Sequence, residues 1–241
     1  MENDSSYGQI LRLPKRKLSA RQNLAAPAER PVLTDVFPSL PTDPAATGFV
    51  LALLRDADGP ILWVQDYLSR QENGQLYTPG LRALGVDHAV LQVTVSHPRD
   101  VLWAMEEGAA CAGLSAVIGE IYGGPAALSF VATKRLALRA EGSGVPVYLI
   151  RSGDPGGLSA ARARWRVASI PSEPHAHDTH SPGHPQWEAE LFRARGRPPG
   201  RWIARHDPKA VRTADRFRLV PRPDDGTVEA DDVPVSDRSG G

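Results

Sequence analysis

The chain has one cysteine, Cys111, in 241 residues. That excludes a disulfide scaffold. It contains no apolar run of about 18 residues, so no membrane-spanning helix is expected. After Met1-Glu2-Asn3-Asp4 no signal-peptide core follows, and a cytosolic protein is expected. A phosphate-cradling Gly-x-x-x-x-Gly-Lys-Ser/Thr loop is also missing. What remains is a chain 41% hydrophobic and 23% charged, enough for one sizeable α/β core with appendages or two small domains.

The formal net charge of +0 hides an asymmetry. Residues 151–222 carry fourteen Lys and Arg against seven Asp and Glu, whereas residues 223–241 carry one against six. A basic region followed by an acidic tail suits a polyanion binder, although a solvated surface is the commoner origin of such a pattern. Residues 1–30, with Lys15, Arg16, Lys17 and Arg21, read as a basic flexible arm. Residues 31–220 read as one domain, its part from 151 to 220 an antiparallel meander, and residues 221–241 as an acidic disordered tail.

The most informative stretch runs from Ser96 to Ile121. Ser96 is placed to cap a helix, Pro98 suits a first turn that needs no N–H, and Asp100 complements the positive end of the helix dipole. Val101, Leu102, Met105 and Ala109 recur at helical spacing, and Gly113 supplies a stop. A short apolar run then reads as a strand buried on both faces and ending on Glu120. Further strands are expected over residues 32–37, 61–66, 89–95 and 145–150. Helices are expected over 45–54, from the turn at Leu76 to Gly85, and over 128–141, the last stopped by Gly142 or Gly144. This alternation predicts an α/β fold with a mostly parallel sheet flanked by helices.

Beyond Arg151 the pattern turns antiparallel. Trp165, Trp187, Leu191 and Trp202 are expected to pack on the core while the intervening arginines face water. A Pro-, Ser- and His-rich loop, residues 171–185, interrupts these strands. Its His175, His177, His180 and His184 with Asp178 lack an element that would hold metal-ligand geometry, so no metal site is expected there.

A carboxylate at the carboxyl end of a central strand lies where open α/β sheets place their ligands, and Glu120 is such a residue. Capping or pairing with an arginine is the commoner role. The loop of residues 38–44 stands where strand, loop and helix would cradle a phosphate. It has three prolines, no glycine and no lysine, and Asp43 would repel an anion.

Several motifs, in this order, resemble the ImuA family, RecA-like proteins of bacterial inducible-mutagenesis cassettes. They are Tyr77-Thr78-Pro79-Gly80-Leu81, Leu102-Trp103-Ala104-Met105-Glu106-Glu107, Ala116-Val117-Ile118-Gly119-Glu120, and Arg162-Ala163-Arg164-Trp165-Arg166-Val167 with Pro171-Ser172. The last runs from Trp187 through Arg193-Ala194-Arg195-Gly196 to Trp202. The resemblance covers about residues 32 to 220 and implies a RecA-like sheet with a C-terminal antiparallel extension. Against RecA itself, Asp66 falls near the water-activating acid, Glu120 at the metal-binding strand end and Ser152 near the γ-phosphate sensor. Ser39, Thr42 and Asp43 stand in the replaced phosphate loop. Each of these positions departs from a working ATPase, so neither a cofactor nor catalysis is expected.

The resemblance implies an accessory factor for damage-induced, error-prone translesion synthesis. Its partners would be an ImuB-like relative of Y-family polymerases, a second DnaE-type polymerase, and RecA. The alternatives are a weak RecA-type ATPase and a single-stranded DNA-binding module. Trp103 with Glu106 is a candidate partner contact if exposed. Arg162, Arg164, Arg166, Arg193, Arg195, Arg197 and Arg201 are candidate partner or phosphate contacts.

Overall fold

A computed structural model describes residues 33–54, 59–87, 89–175, 177–178, 180–207, 209–210 and 216–222. The expectations for residues 1–30 and for the acidic stretch from 223 onward lie outside the described residues. In chain order the elements are β1 (Leu33–Pro38), α1 (Ala45–Leu53), β2 (Ile61–Asp66), α2 (Tyr67–Asn73), α3 (Thr78–Ala83), β3 (Val90–Val95) and α4 (Pro98–Ala109). They continue with β4 (Ala116–Tyr122), α5 (Phe130–Ser143), β5 (Val147–Ser152), β6 (Ala163–Ser169), β7 (Gln186–Ala194), β8 (Gly200–His206) and β9 (Phe217–Pro221).

Among the described residues all nine strands belong to one sheet, ordered β3-β2-β4-β5-β1-β6-β7-β8-β9. Neighbours from β3 to β6 pair in parallel, and those from β6 to β9 antiparallel. The protein is therefore α/β, with a mostly parallel central sheet and an antiparallel extension. β4 and β5 are buried along nearly their whole length, which their continuous apolar runs require.

Period-two alternation divides the core between the two faces of the sheet. On one face Trp63, Ile118, Tyr148, Ile150 and Trp165 meet α1 and α3, and the same layer continues beneath β7 and β8 through Trp187, Leu191 and Trp202. Phe49 of α1 joins the two parts of that layer. Its ring centroid lies 5.4 Å from Trp165, 6.3 Å from Trp187 and 5.5 Å from Phe217. On the opposite face Leu33, Val64, Val117 and Leu149 pack under α4 and α5. α4 comes closest at Gly119, where a Cβ would stand 2.0 Å from Met105 Sδ. A glycine there is what lets Met105 seat on the sheet.

The organising helix starts at Pro98, but its N-cap is His97 without a side-chain cap, not Ser96. It ends at Ala109, with Ala110 as C-cap, because Ala110 N and Cys111 N already close on Glu107 and Gly108 carbonyls; Gly113 sits three residues further on. β4 runs two residues past Glu120, since Ile121 is still buried and both Ile121 and Tyr122 still pair with β5. α2 was absent from the sequence reading. Asp66 closes β2 and opens α2 at once, its Oδ1 accepting from Ser69 N at 2.7 Å. β9 also escaped it, being short and half polar. Gly144, at φ 85°, rather than Gly142 ends α5.

Candidate functional site

At the carboxyl ends of β2, β4 and β5 the sheet opens into a half-open cavity of about 280 Å³. The loop after β1, α1, and the turn between α2 and α3 wall it in. Register builds its polar floor: Gln65 pairs with Glu120 across β2 and β4, and Ser152 projects on the same face from β5. Glu120 is 3% exposed. Its Oε2 accepts from Gln65 Nε2 at 2.6 Å, and its Oε1 accepts from Asn73 Nδ2 at 2.7 Å. Asn73 Nδ2 also donates to Ser152 Oγ at 3.1 Å, and Gln65 Nε2 to Gly74 O at 3.1 Å.

Burial pushes the Glu120 pKa up to about 7, against the pull of the Asn73 and Gln65 donors. The Trp63 indole N–H lies near enough to lower it as well, without closing a hydrogen bond of ordinary geometry. Thus Glu120 is half neutral near pH 7, and both of its oxygens are already engaged by amides.

The loop of residues 38–44 leaves little for an anion. Pro38, Pro41 and Pro44 have no N–H, Ser39 N donates to Val167 O at 2.7 Å, and Asp43 N to Leu40 O at 3.0 Å. The Asp43 carboxylate occupies the start of α1. Its Oδ1 accepts from Ala45 N at 2.9 Å and from Ser169 Oγ at 2.5 Å, and its Oδ2 from Ser169 N at 2.9 Å. Burial pulls the Asp43 pKa upward, but these bonds outweigh it and hold the carboxyl below its usual value. No lysine, arginine or histidine lines the cavity among the described residues.

The structure therefore gathers Thr42, Asp43, Glu120 and Ser152 on one cavity. Ser39 stands outside it, exposed, and Asp66 is buried as the cap of α2. Sequence reasoning missed Trp63, Gln65 and Asn73. Gln65 carried a signal: a polar residue in phase with Ile61 and Trp63 on the buried side of a strand. Asn73 carried none, because α2 was not recognised.

Across the sheet lies a second polar group. Asp35 of β1 is 0% exposed, and its Oδ2 meets Arg151 Nη1 at 2.9 Å and Arg164 Nε at 3.4 Å. Asp154 Oδ2 takes Arg151 Nε at 2.7 Å and Nη2 at 2.6 Å. Arg164 Nη2 donates to the Gly156 and Gly157 carbonyls at 3.2 and 3.0 Å. Burial pushes the Asp35 pKa up, and Arg151, Ser159 and Arg164 oppose that rise.

The expectation that the arginines of β6 face water, ready for phosphate, is thus wrong for Arg164. It alternates onto the sheet face where Asp35 needs a counter-charge. Arg166 and Arg201 are exposed but both engage Glu190, at 2.9 and 3.3 Å, and Arg162 Nε donates to Glu141 at 2.8 Å. Arg193 and Arg195 are exposed, and Arg197 is half-buried. Trp103 is 64% exposed on α4, and the neighbouring Glu106 pairs with Arg135 of α5 at 2.9 Å.

In the 171–185 loop the His175 and His177 rings lie 6.0 Å apart, and His184 Nε2 stands 3.7 Å from Asp207. No group of three or more His, Cys, Asp or Glu suited to a metal occurs among the described residues. Among the same residues no helix is long and apolar enough to cross a membrane.

Fold and site together define an α/β protein with a cavity at the strand ends and, among the described residues, no cationic phosphate cradle. No family model matches the chain. It is 32% identical over 204 residues to Protein ImuA of Caulobacter vibrioides strain NA1000 / CB15N, covering 78% of this chain and 79% of the relative. The same values hold for Protein ImuA of strain ATCC 19089 / CIP 103742 / CB 15. The chain belongs to the ImuA family.

Proposed function

We propose that this protein is a non-catalytic accessory factor in damage-induced, error-prone translesion DNA synthesis, acting in the cytoplasm by binding an ImuB-like partner. The family relationship carries the reading. A RecA-like origin of the core is supported by the strand order: β1, which bears the proline loop, and β4, which bears Glu120, flank β5, which delivers Ser152. Three positions to which the resemblance gave nucleotide roles thereby converge on one cavity.

The absence of hydrolysis is supported by the chemistry of that cavity. A transferring phosphoryl group needs cationic neutralisation and an unobstructed loop of N–H donors. Here prolines and the Asp43 carboxylate stand in those places. Base addition then belongs to the polymerases, the ImuB-like protein and a second DnaE-type enzyme, with RecA a further partner. Trp103, exposed on α4 beside the Glu106–Arg135 pair, is the proposed anchor for the ImuB-like protein. Direct contact with single-stranded DNA falls, on this reading, to the exposed Arg193 and Arg195.

The test is the ultraviolet-induced mutation frequency of a strain lacking this protein, with the intact protein restored as control. The expected result is collapse and rescue. An unchanged frequency in the deletion strain refutes the proposed role.

A further inference from the structure

Alternation gives the antiparallel extension one apolar face and one wet face. Trp165, Trp187, Leu191, Trp202 and Ala204 point into the aromatic layer, so Arg166, Glu190, Arg201, Ile203 and Arg205 project from the other side. Register adds Arg218, Val220 and Arg222 of β9 to that side. From β6 to β8 the wet face alternates in sign. Glu190 stands opposite both Arg166 and Arg201 and meets them at 2.9 and 3.3 Å.

Between β8 and β9 the alternation breaks. Arg205 stands directly opposite Arg218, and Ile203 opposite Val220. One register step further Arg222 lies beside Arg201, its backbone N–H reaching the Arg201 carbonyl at 3.4 Å. Like charges directly opposite each other destabilise a sheet. A glutamate at either β9 position would stabilise the pairing, as Glu190 does on β7. Nearby carboxylates relieve the repulsion only in part: Glu188 takes Arg222, and Glu173 takes Arg205 at 3.3 Å. A guanidinium carries five N–H donors, so Arg201 and Arg205 keep donors for a second acceptor.

The two arginine pairs stand four residues apart along β8, about 14 Å. Ile203 and the 37% exposed Val220 fill the space between them. Planar guanidinium forks match phosphate oxygens. Cations on either side of an apolar step suit a nucleotide strand, whose phosphates alternate with unstacked bases. A duplex hides its bases and would leave that step uncovered.

We propose that the wet face of β8 and β9 binds single-stranded DNA, with phosphates on the Arg205–Arg218 and Arg201–Arg222 pairs and a base over Ile203 and Val220. This deepens the DNA contact put forward above and rests on that reading. It extends the contact from Arg193, opposite Arg164 on β6, across the extension to β9. Binding is read on the purified chain, so its failure leaves the strain test of mutagenesis untouched, and the reverse also holds.

The experiment follows the fluorescence anisotropy of a labelled 20-nucleotide thymidine strand titrated with the full chain. The expected result is saturable binding with Kd below about 10 μM at about 50 mM salt. Three to four phosphate contacts predict roughly twenty- to fiftyfold weaker binding at about 200 mM. The double variant Arg205→Gln/Arg218→Gln should bind roughly tenfold more weakly or worse, with a salt slope shallower by about 1.4 and a melting temperature no lower than that of the parent. Should that variant fail to fold, Val220→Glu on the wet face should abolish binding. Any of four outcomes overturns the proposal: no saturable binding below about 10 μM; affinity indifferent to salt or unchanged in the folded variant; a duplex of equal length or polyglutamate of equal charge bound as tightly; or binding seen only after residues 223–241 are removed, which would make that acidic stretch the occupant of the face.

Discussion

Arg151 and Ser152 are neighbours on β5, yet they belong to polar groups of opposite character. Arg151 enters a cluster of buried charges, in which Asp35 and Asp154 accept its guanidinium protons and Arg164 supplies a second cation to Asp35. Ser152 enters a cavity whose buried carboxylate, Glu120, is held by the neutral amides of Gln65 and Asn73. The difference teaches two ways of keeping a carboxylate inside a protein: Asp35 is matched by cations, whereas Glu120 has neutral donors and its pKa is pushed up to about 7. Hydrogen-bonding capacity left over does not separate the two, since Asp35 Oδ1 and Arg164 Nε lack a hydrogen-bond partner just as Trp63 Nε1 and the Asn73 oxygen do.

The sharpest break of this comparison is Arg151→Met. It strands Asp35 and Asp154 without their main cation, and a loss of about 3–5 kcal/mol is expected in denaturant unfolding. A loss comparable to a surface substitution would mean that the cluster is not structural.

Next comes pH. Glu120 ionises near 4.5 when unfolded and at about 7 when folded. Its contribution to stability is therefore whole below pH 4.5 and falls as pH rises to 7, by about 3 kcal/mol at most. His206 works in the opposite sense. Burial holds its imidazole below the usual value, and its Nε2 must carry the proton, since it meets the Leu84 carbonyl at 2.7 Å. The measurement is thus the difference between wild type and Glu120→Gln across pH 5 to 8, which should shrink toward pH 5. A difference independent of pH would place the Glu120 pKa near its ordinary value.

A smaller effect is expected of Gly119→Ala. The new methyl group meets Met105 Sδ, and displacing that flexible side chain should cost about 1–3 kcal/mol, with Met105→Ala in the same chain restoring part of it. Failure of the double variant to recover would point to backbone displacement instead. Least is expected of Trp103→Ala, within about 0.5 kcal/mol in stability. Capture of an ImuB-like partner should fall sharply in that variant, and undiminished capture would remove Trp103 as the anchor.

Much of the fold was legible. β2 was bounded in full by its apolar run, and β3, β5, β6, β7 and β8 to within two or so residues at either end. Trp165, Trp187, Leu191 and Trp202 pack inward as their alternation requires. Helix ends were less legible, since Ser96 and Gly113 had the right chemistry one and three residues from where the hydrogen bonds actually close. The site was half visible: Glu120, Thr42, Asp43 and Ser152 converge, but Asp66 turned to capping α2 and Arg164 to neutralising Asp35. The Arg164 choice leaves no mark in local sequence, because Asp35 reaches it through sheet register, whereas the Asp66 cap is local, three residues from Ser69, and went unread because α2 was not recognised.

The amino-acid sequence by itself determined the order of most strands and helices, which side of most strands is apolar, and a proline-rich loop after β1 without glycine or lysine, because periodicity and the missing proline N–H act within a few residues. Only the tertiary structure decided that Asp35, Arg151, Arg164 and Asp154 close on one another while Gln65, Asn73, Trp63 and Glu120 line a cavity. Those contacts join residues up to 129 positions apart in the chain, from Asp35 to Arg164. They exist because β1 inserts between β5 and β6, while β4 lies between β2 and β5.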